Sequence, residues 1–563
     1  MKKWGLLTLV FVLFSCHRDG KEETRSVFRY NESAGIASLD PAFARDQANI
    51  WACNQLFNGL VQLDSQLRVQ PCIAERWEIT EDGRTYTFHL RRDVRFHETD
   101  YFPVSPTRRV TAGDVAYSFR RIIAPETASP GAWIFQTVDT LPNGEKAFEA
   151  LDDSTFRIRL HESFPPFLGL LTMPYCSIVL PEAAERFQKD FRKYPVGTGP
   201  FKLKMWKEGV KLVCVKNPYY FERDGQGRRL PYLDAVAITF IVDKQSVFME
   251  FVKGNLDFMS GLDASYKDEL LTKEGRLNPK YKGRIRLLET PYLNTEYLGF
   301  MMDPNQSDAK NNPLLLKEIR QAINYGFDRE KMLRHLRSGI GIPGQQGMIP
   351  PILLPASTPV SYGYSYQPEK VRQLLAKAGY PNGKGLPPIK LYVSESYMDI
   401  MEYIAHEEER FGLRIHVLKI QPAMLRQFIS RSEIPFFRGS WIADYPDAEN
   451  YLSLFYTENF CPNGPNYTHF SHPAFDRLYR QARRTVSDSA RNVIYQKMDS
   501  LVMEEAPVVV LYYDQVLRFI GQEVENMENN AMNLLTLKRV RKSTIPKTRN
   551  KTMPESGKNS EGI

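Results

Sequence analysis

The sequence predicts an α/β protein of two large lobes, one of them interrupted by an inserted subdomain. Three observations lead there. The chain has 563 residues, more than one hydrophobic core accommodates, so its apolar residues divide among two or three lobes. Residues 236–242, 244–253 and 256–258 read as strand, helix and strand, an order that builds a parallel sheet with crossover helices. Residues 436–443 form an apolar, aromatic run that ends at Asp444-Tyr445-Pro446-Asp447 and gives way to a helix at 448–455.

The N-terminus carries Lys2 and Lys3 and then an apolar run from Trp4 to Phe14. This run is too short to span a bilayer and suits a signal-peptide core at 1–15. Leu13-Phe14-Ser15-Cys16 resembles a lipobox, in which the cysteine becomes the lipidated N-terminus, and 16–26 read as a polar tether. A strand begins near 27, Leu39-Asp40-Pro41 is a turn, and a helix follows over 46–57. Lobe I is expected to comprise 27–57, 171–289 and 506–537. The inserted subdomain is 58–170. Asp82-Gly83 joins two of its strands as a hairpin. Thr111 caps a helix whose positive end favours Asp114. Lobe II is 290–505, where helices at 314–325, 329–336, 368–378 and 398–411 intermingle with strands at 389–393 and 415–419. The strand 508–513 is expected to return to lobe I. The basic segment 538–563 has few large apolar residues and is expected to be disordered.

Composition is ordinary for a globular protein, 42% hydrophobic and 25% charged. The net charge of +8 is scattered, with none of the aromatic–basic alternation of nucleic-acid binders. Beyond Cys16 there are Cys53, Cys72, Cys176, Cys214 and Cys461, with no Cys-x-x-Cys. Neither a zinc ribbon nor a redox pair is indicated, and up to two disulfides are possible in pairings that spacing leaves open. Residues 339–344 spell Gly-x-Gly-x-x-Gly but follow a helix and contain Pro343, outside the dinucleotide-binding context. Zincin and nucleophile-elbow motifs are absent. No cofactor or metal is expected, and His97 reads as structural.

The candidate site is the end of the 436–443 strand, because open α/β sheets bind ligands at the carboxyl ends of their strands. Arg438 and Asp444 are opposite charges six residues apart, roughly 20 Å if extended, with Trp441 between them. The pair suits an extended zwitterion, Asp444 taking an ammonium and Arg438 a carboxylate. A structural ion pair and a core tryptophan fit the same residues.

The order Arg-Gly-x-Trp-x-Ala-Asp-Tyr at 438–445 does not stand alone. Ala-Glu-x-Trp occurs at 74–77, Asp-Gly-x-x-Tyr-x-Phe at 82–88, Leu-Arg-x-x-Val-x-Phe-His at 90–97 and Thr-Ala-x-Asp-Val-x-x-Ser-Phe at 111–119. Together they resemble the oligopeptide- and dipeptide-binding proteins of bacterial ABC importers, the family 5 extracellular solute-binding proteins, over nearly all of 27–537. The resemblance implies a type II, two-lobed periplasmic-binding-protein fold of the large class with an extra subdomain. It implies a non-enzymatic monomer that binds short peptides, meets an ABC permease and ATPase, and takes no nucleic acid or cofactor. It also implies tethering by the Cys16 lipid to a bacterial membrane on the periplasmic side. In that family the Asp matching Asp444 holds the peptide α-amino group, the Arg matching Arg438 can hold its carboxylate, and the Trp matching Trp441 borders a side-chain pocket. The main chain of Gly439, Ser440 and Ile442 would pair with the peptide as an added strand. Gly35, Ile36 and Ala37 occupy the N-terminal ligand-lining segment, with Ala37 expected in contact. Two other functions remain open: the same fold binding an oligosaccharide or metal chelate, and a surface lipoprotein hydrolase whose triad assembles only in three dimensions.

Overall fold

The computed structural model describes residues 26–100, 105–305, 312–355 and 362–543. The expected signal peptide, Cys16 and the segment 544–563 lie outside the described residues. One mixed sheet of eleven strands runs through the molecule. Numbered along the chain, its strands are β1 (Val27–Asn31), β2 (Phe201–Lys207), β3 (Lys211–Lys216), β4 (Ala235–Thr239), β5 (Phe258–Ser260), β6 (Ile285–Phe300), β7 (Ile342–Pro343), β8 (Ile389–Val393), β9 (Ile415–Lys419), β10 (Phe436–Ile442) and β11 (Val508–Gly521). Their spatial order is β9-β8-β10-β6-β11-β5-β1-β4-β3-β2, with β7 alongside β11.

Both faces of the sheet are covered, and the two-residue period of the strands sorts side chains between them. Along β11, Val508 and Val510 enter one core while Val509 and Leu511 enter the other. Tyr297 and Leu298 of β6 divide the same way. In lobe I, Phe28 and Tyr30 of β1 pack with Phe258 and Trp51. The inserted subdomain adds a separate antiparallel sheet of four strands, in the order Ala74–Ile79, Thr85–Leu90, Thr155–Arg159, Phe148–Asp152. Its helix Ala112–Ile123 starts where Thr111 donates its N–H to Asp114 at 2.8 Å.

Two long strands join the lobes. β6 and β11 pair from Ile285↔Gly521 to Pro291↔Gln515 in lobe I and from Thr295↔Tyr513 to Gly299↔Val508 in lobe II. Between Pro291 and Thr295 the register breaks. Pro291 has no N–H to give the ladder, which weakens the sheet at that point. The 508–513 segment therefore lies in the lobe II sheet, not in lobe I as expected, and only the second half of its strand continues into lobe I. A single strand long enough to cross the break serves both lobes.

The basic tail also departs from expectation. Residues 538–543 are docked: Lys538 pairs with Glu222 at 2.8 Å and Lys542 with Asp257 at 2.8 Å. Arg541–Lys542 pairs with Val524–Glu525 as a short ladder. The positive charges are held by carboxylates of lobe I, partners that composition alone does not reveal.

Candidate functional site

β10 owes its place to its aromatic start. Phe436 stacks on Phe300 at 4.6 Å, and Phe437 lies in the opposite core. The strand pairs with β6 from Phe300↔Phe436 to Asn294↔Ile442. On its other side β8 reaches it only at Tyr392↔Phe437. From Gly439 to Ile442 that second edge carries no ladder partner among the described residues. Ser440 and Ile442 are exposed. The open edge ends beside the register break of β6, where the lobes meet.

Asp444 follows directly. Its carboxylate is open to water yet crowded by protein, and burial raises its pKa from the usual range, against a hydrogen bond from Asn450. No lysine or arginine pairs with it among the described residues. Asn450 organises the corner: its Oδ1 accepts the Trp441 Nε1–H at 2.8 Å and the Asp444 N–H at 3.3 Å. Asn450 is itself buried on the short helix Glu449–Leu452. Tyr445 is buried in the lobe I core and donates its hydroxyl to Glu449.

Lobe I faces this corner. Burial raises the Tyr175 phenol, Arg45 opposes the rise, and Asp444 and Asp46 add to it, so Asp444 lies within electrostatic reach of Tyr175 across the lobe boundary. The lobe I wall is hollowed by a cavity of about 650 Å³ whose lining includes Glu32, Ile36, Asp46, Trp51, Lys244 and Tyr266. Burial raises the Glu32 carboxyl, opposed by the Ala34 N–H and Lys244.

Ala37 also lines this cavity, but its main chain is occupied. Its N–H donates to Asn49 Oδ1 at 3.1 Å and its carbonyl accepts from Arg192 at 3.3 Å. What Ala37 presents is its methyl group and a second carbonyl lone pair. Arg438 is likewise engaged. Its guanidinium pairs with Glu296 and lies over the Tyr397 ring at 3.4 Å. Burial raises the Glu296 carboxyl and Arg438 opposes that rise. A second pair, Arg337–Asp514 at 3.0 Å, sits beside it, and Asn294 Nδ2 donates to Glu296 at 3.0 Å and to Asp514 at 3.4 Å. Asn450, Tyr175, Glu32 and Glu296 carry no local sequence signal; their roles arise from contacts across the chain.

The remaining sequence candidates are structural. His97 is buried, with Nε2 3.1 Å from the Gly199 carbonyl and Nδ1 accepting the Gly197 N–H at 3.4 Å. The five cysteines after Cys16 are all buried and unbridged. No cluster of metal-ligating side chains occurs among the described residues.

The profile described as "Bacterial extracellular solute-binding proteins, family 5 Middle" matches residues 68–460. The chain belongs to this family. Heme-binding protein A of Haemophilus influenzae is 27% identical over 504 residues, 87% of each chain. The dipeptide-binding protein of Escherichia coli is 25% identical over 539 residues, 93% of this chain and 96% of its own. Among solved structures, HbpA2 from Haemophilus parasuis superposes with a TM-score of 0.77 at 23% identity, covering 92% of this chain and 99% of its own. The unliganded open form of the periplasmic murein tripeptide-binding protein MppA gives 0.76 at 22% identity, covering 92% and 98%. This family 5 chain has the type II periplasmic-binding-protein fold, with its inserted subdomain and two crossing strands.

Proposed function

We propose that the protein captures short peptides between its lobes and delivers them to an ABC importer, tethered to the periplasmic side of a bacterial membrane through Cys16. The observation that carries the reading is the open edge of β10, which runs from Gly439 to Ile442 and ends at Asp444, a carboxylate with no cationic partner among the described residues. An extended peptide adds to such an edge as a strand, and its main-chain hydrogen bonds are indifferent to side chains. Asp444 fixes the register by accepting the peptide ammonium. Side chains of the guest then face hydrated space, where a bridging water costs about 0–2 kcal/mol, so varied sequences are accepted. The dipeptide-binding relative supports this class of guest. Arg438, already met by Glu296, contributes to a ligand carboxylate only by sharing its charge, so the amino end is the stronger anchor.

The test is titration calorimetry with alanine di- to pentapeptides and their N-acetylated forms. Binding that requires the free amine supports the reading; equal affinity for both forms overturns it. A metal chelate is the second reading, favoured by the similarity to Heme-binding protein A. Displacement of peptide by hemin in the same titration would bring it forward.

A further inference from the structure

We propose that a groove between the inserted subdomain and the 217–231 segment of lobe I binds a phosphate-bearing ligand. The groove encloses about 600 Å³ and is lined by Arg91, Arg92, Arg95, Arg109 and Arg229 against only two carboxylates, Glu75 and Asp93. Two of the arginines are committed. Arg91 holds Asp93 through two hydrogen bonds of 3.0 Å and lies over Phe221 at 5.2 Å. Arg229 donates to the Tyr220 carbonyl at 2.7 Å. Arg92, Arg95 and Arg109 pair with no carboxylate among the described residues, and Arg92 and Arg109 are exposed.

The backbone makes this arrangement costly. Arg95 and Arg109 face each other across an antiparallel bridge, and Arg223 faces Arg229 across another. Like charges directly opposite on paired strands destabilise the pairing. Arg223 turns away to the Gly227 carbonyl at 2.8 Å, whereas Arg95 and Arg109 have no such outlet among the described residues. A bound anion removes the repulsion. Guanidinium groups, unlike ammonium groups, present a planar fork that meets oxyanions with two bonds at once. Three unmatched guanidiniums call for a ligand carrying two or more negative charges on clustered oxygens. A single carboxylate leaves two of them uncompensated, while a phosphate or diphosphate does not. The phosphate can belong to a soluble compound or to a phospholipid headgroup.

The probe for the first source is inorganic pyrophosphate, titrated into the purified full chain at fixed ionic strength with chloride as control. The probe for the second is sedimentation with phosphatidylglycerol vesicles, compared with phosphatidylcholine vesicles. Saturable pyrophosphate binding that falls at least tenfold in R95Q/R109Q establishes the site with a soluble ligand. Absence of pyrophosphate binding, with a phosphatidylglycerol preference that the same substitutions abolish, establishes it with a lipid headgroup. Tri-alanine binding stays unchanged in the variant, since the groove residues are separate from β10 and Asp444. Without anion, R95Q/R109Q melts at the same temperature as the parent or higher, because the facing charges are gone. If that variant does not fold, R92Q carries the test, with a several-fold loss expected. The proposal is overturned if neither probe binds, or if binding persists undiminished in the variants.

Discussion

Replacing Asp444 by Asn tests the amino-end anchor with the least change of shape. In the unliganded protein the substitution is mild. Burial holds the Asp444 pKa above its ordinary value, so the folded chain binds a proton more readily there than the unfolded one. Keeping the carboxylate charged therefore costs stability, none of it below the ordinary carboxylate range and all of it above the raised value. At neutral pH D444N should melt at the same temperature as the parent or slightly higher, and the difference should vanish in acid. With a peptide present the sign reverses. A hydrogen bond to a charged group is worth about 1.5–3 kcal/mol, and orphaning one partner of an enclosed ion pair costs about 3–5 kcal/mol. Asp444 is open to water in the unliganded protein, so about 3 kcal/mol is expected, roughly a 150-fold loss of affinity. Calorimetry of parent and D444N with tri-alanine and N-acetyl-tri-alanine completes a double-mutant cycle. The two changes should be non-additive: once the amine is acetylated, D444N should cost little more. Full additivity would refute the contact between Asp444 and the ammonium even if each single change weakened binding.

Other predictions concern the frame around the site. Glu296→Gln leaves the largely buried Arg438 without its anion and should lower unfolding stability by about 3–5 kcal/mol in urea; a loss below about 1 kcal/mol would mean that Tyr397 and water suffice. Asp499 is buried, accepts the Met348 N–H at 2.9 Å and the Tyr362 hydroxyl at 3.1 Å, and has its pKa pushed up to about 7. Its folded pKa lies above the unfolded one, so the stability it contributes is present in acid and lost as pH rises toward 7. The pH dependence of the melting temperature should flatten in D499N, and an unchanged profile would contradict the assignment. The five buried, unbridged cysteines should be silent to a thiol reagent in the native state and all react on unfolding, with melting unaffected by reductant. Cys16→Ser should abolish incorporation of a labelled fatty acid; retained label would move the anchor elsewhere.

The sequence exposed elements whose signals are local. Asp82-Gly83 marked a hairpin, Thr111 and Asp114 a helix start, and Phe436 to Ala443 a strand, because turn chemistry, capping and periodicity act over a few residues; the strand is buried only at Phe436 and Phe437, and Ser440 and Ile442 are exposed. The place of Asp444 at the end of that strand was legible for the same reason, since strand, carboxylate and proline follow one another. Long-range charge pairing was not. Glu296 lies 142 residues from Arg438, and Glu222 lies 316 residues from Lys538, so the sequence left Arg438 open between a ligand contact and an ion pair, and the start of the tail read as disordered. The course of β11 through both lobes was hidden too, since a strand apolar on both faces carries no mark of where one core ends and the next begins. Ala37 read as available backbone because the distant Arg192 that caps its carbonyl leaves no trace beside it.

In the proposed binding mode an extended guest lies along the free edge of β10 with its positive end at Asp444. A crystal structure of the protein with tri-alanine tests this most directly. Main-chain hydrogen bonds are expected between the peptide and residues Gly439 to Ile442, with the ammonium nitrogen within about 3 Å of an Asp444 carboxylate oxygen. A peptide seated away from that edge, or one whose ammonium points into solvent or toward Glu32 while Asp444 contacts only water, would contradict it.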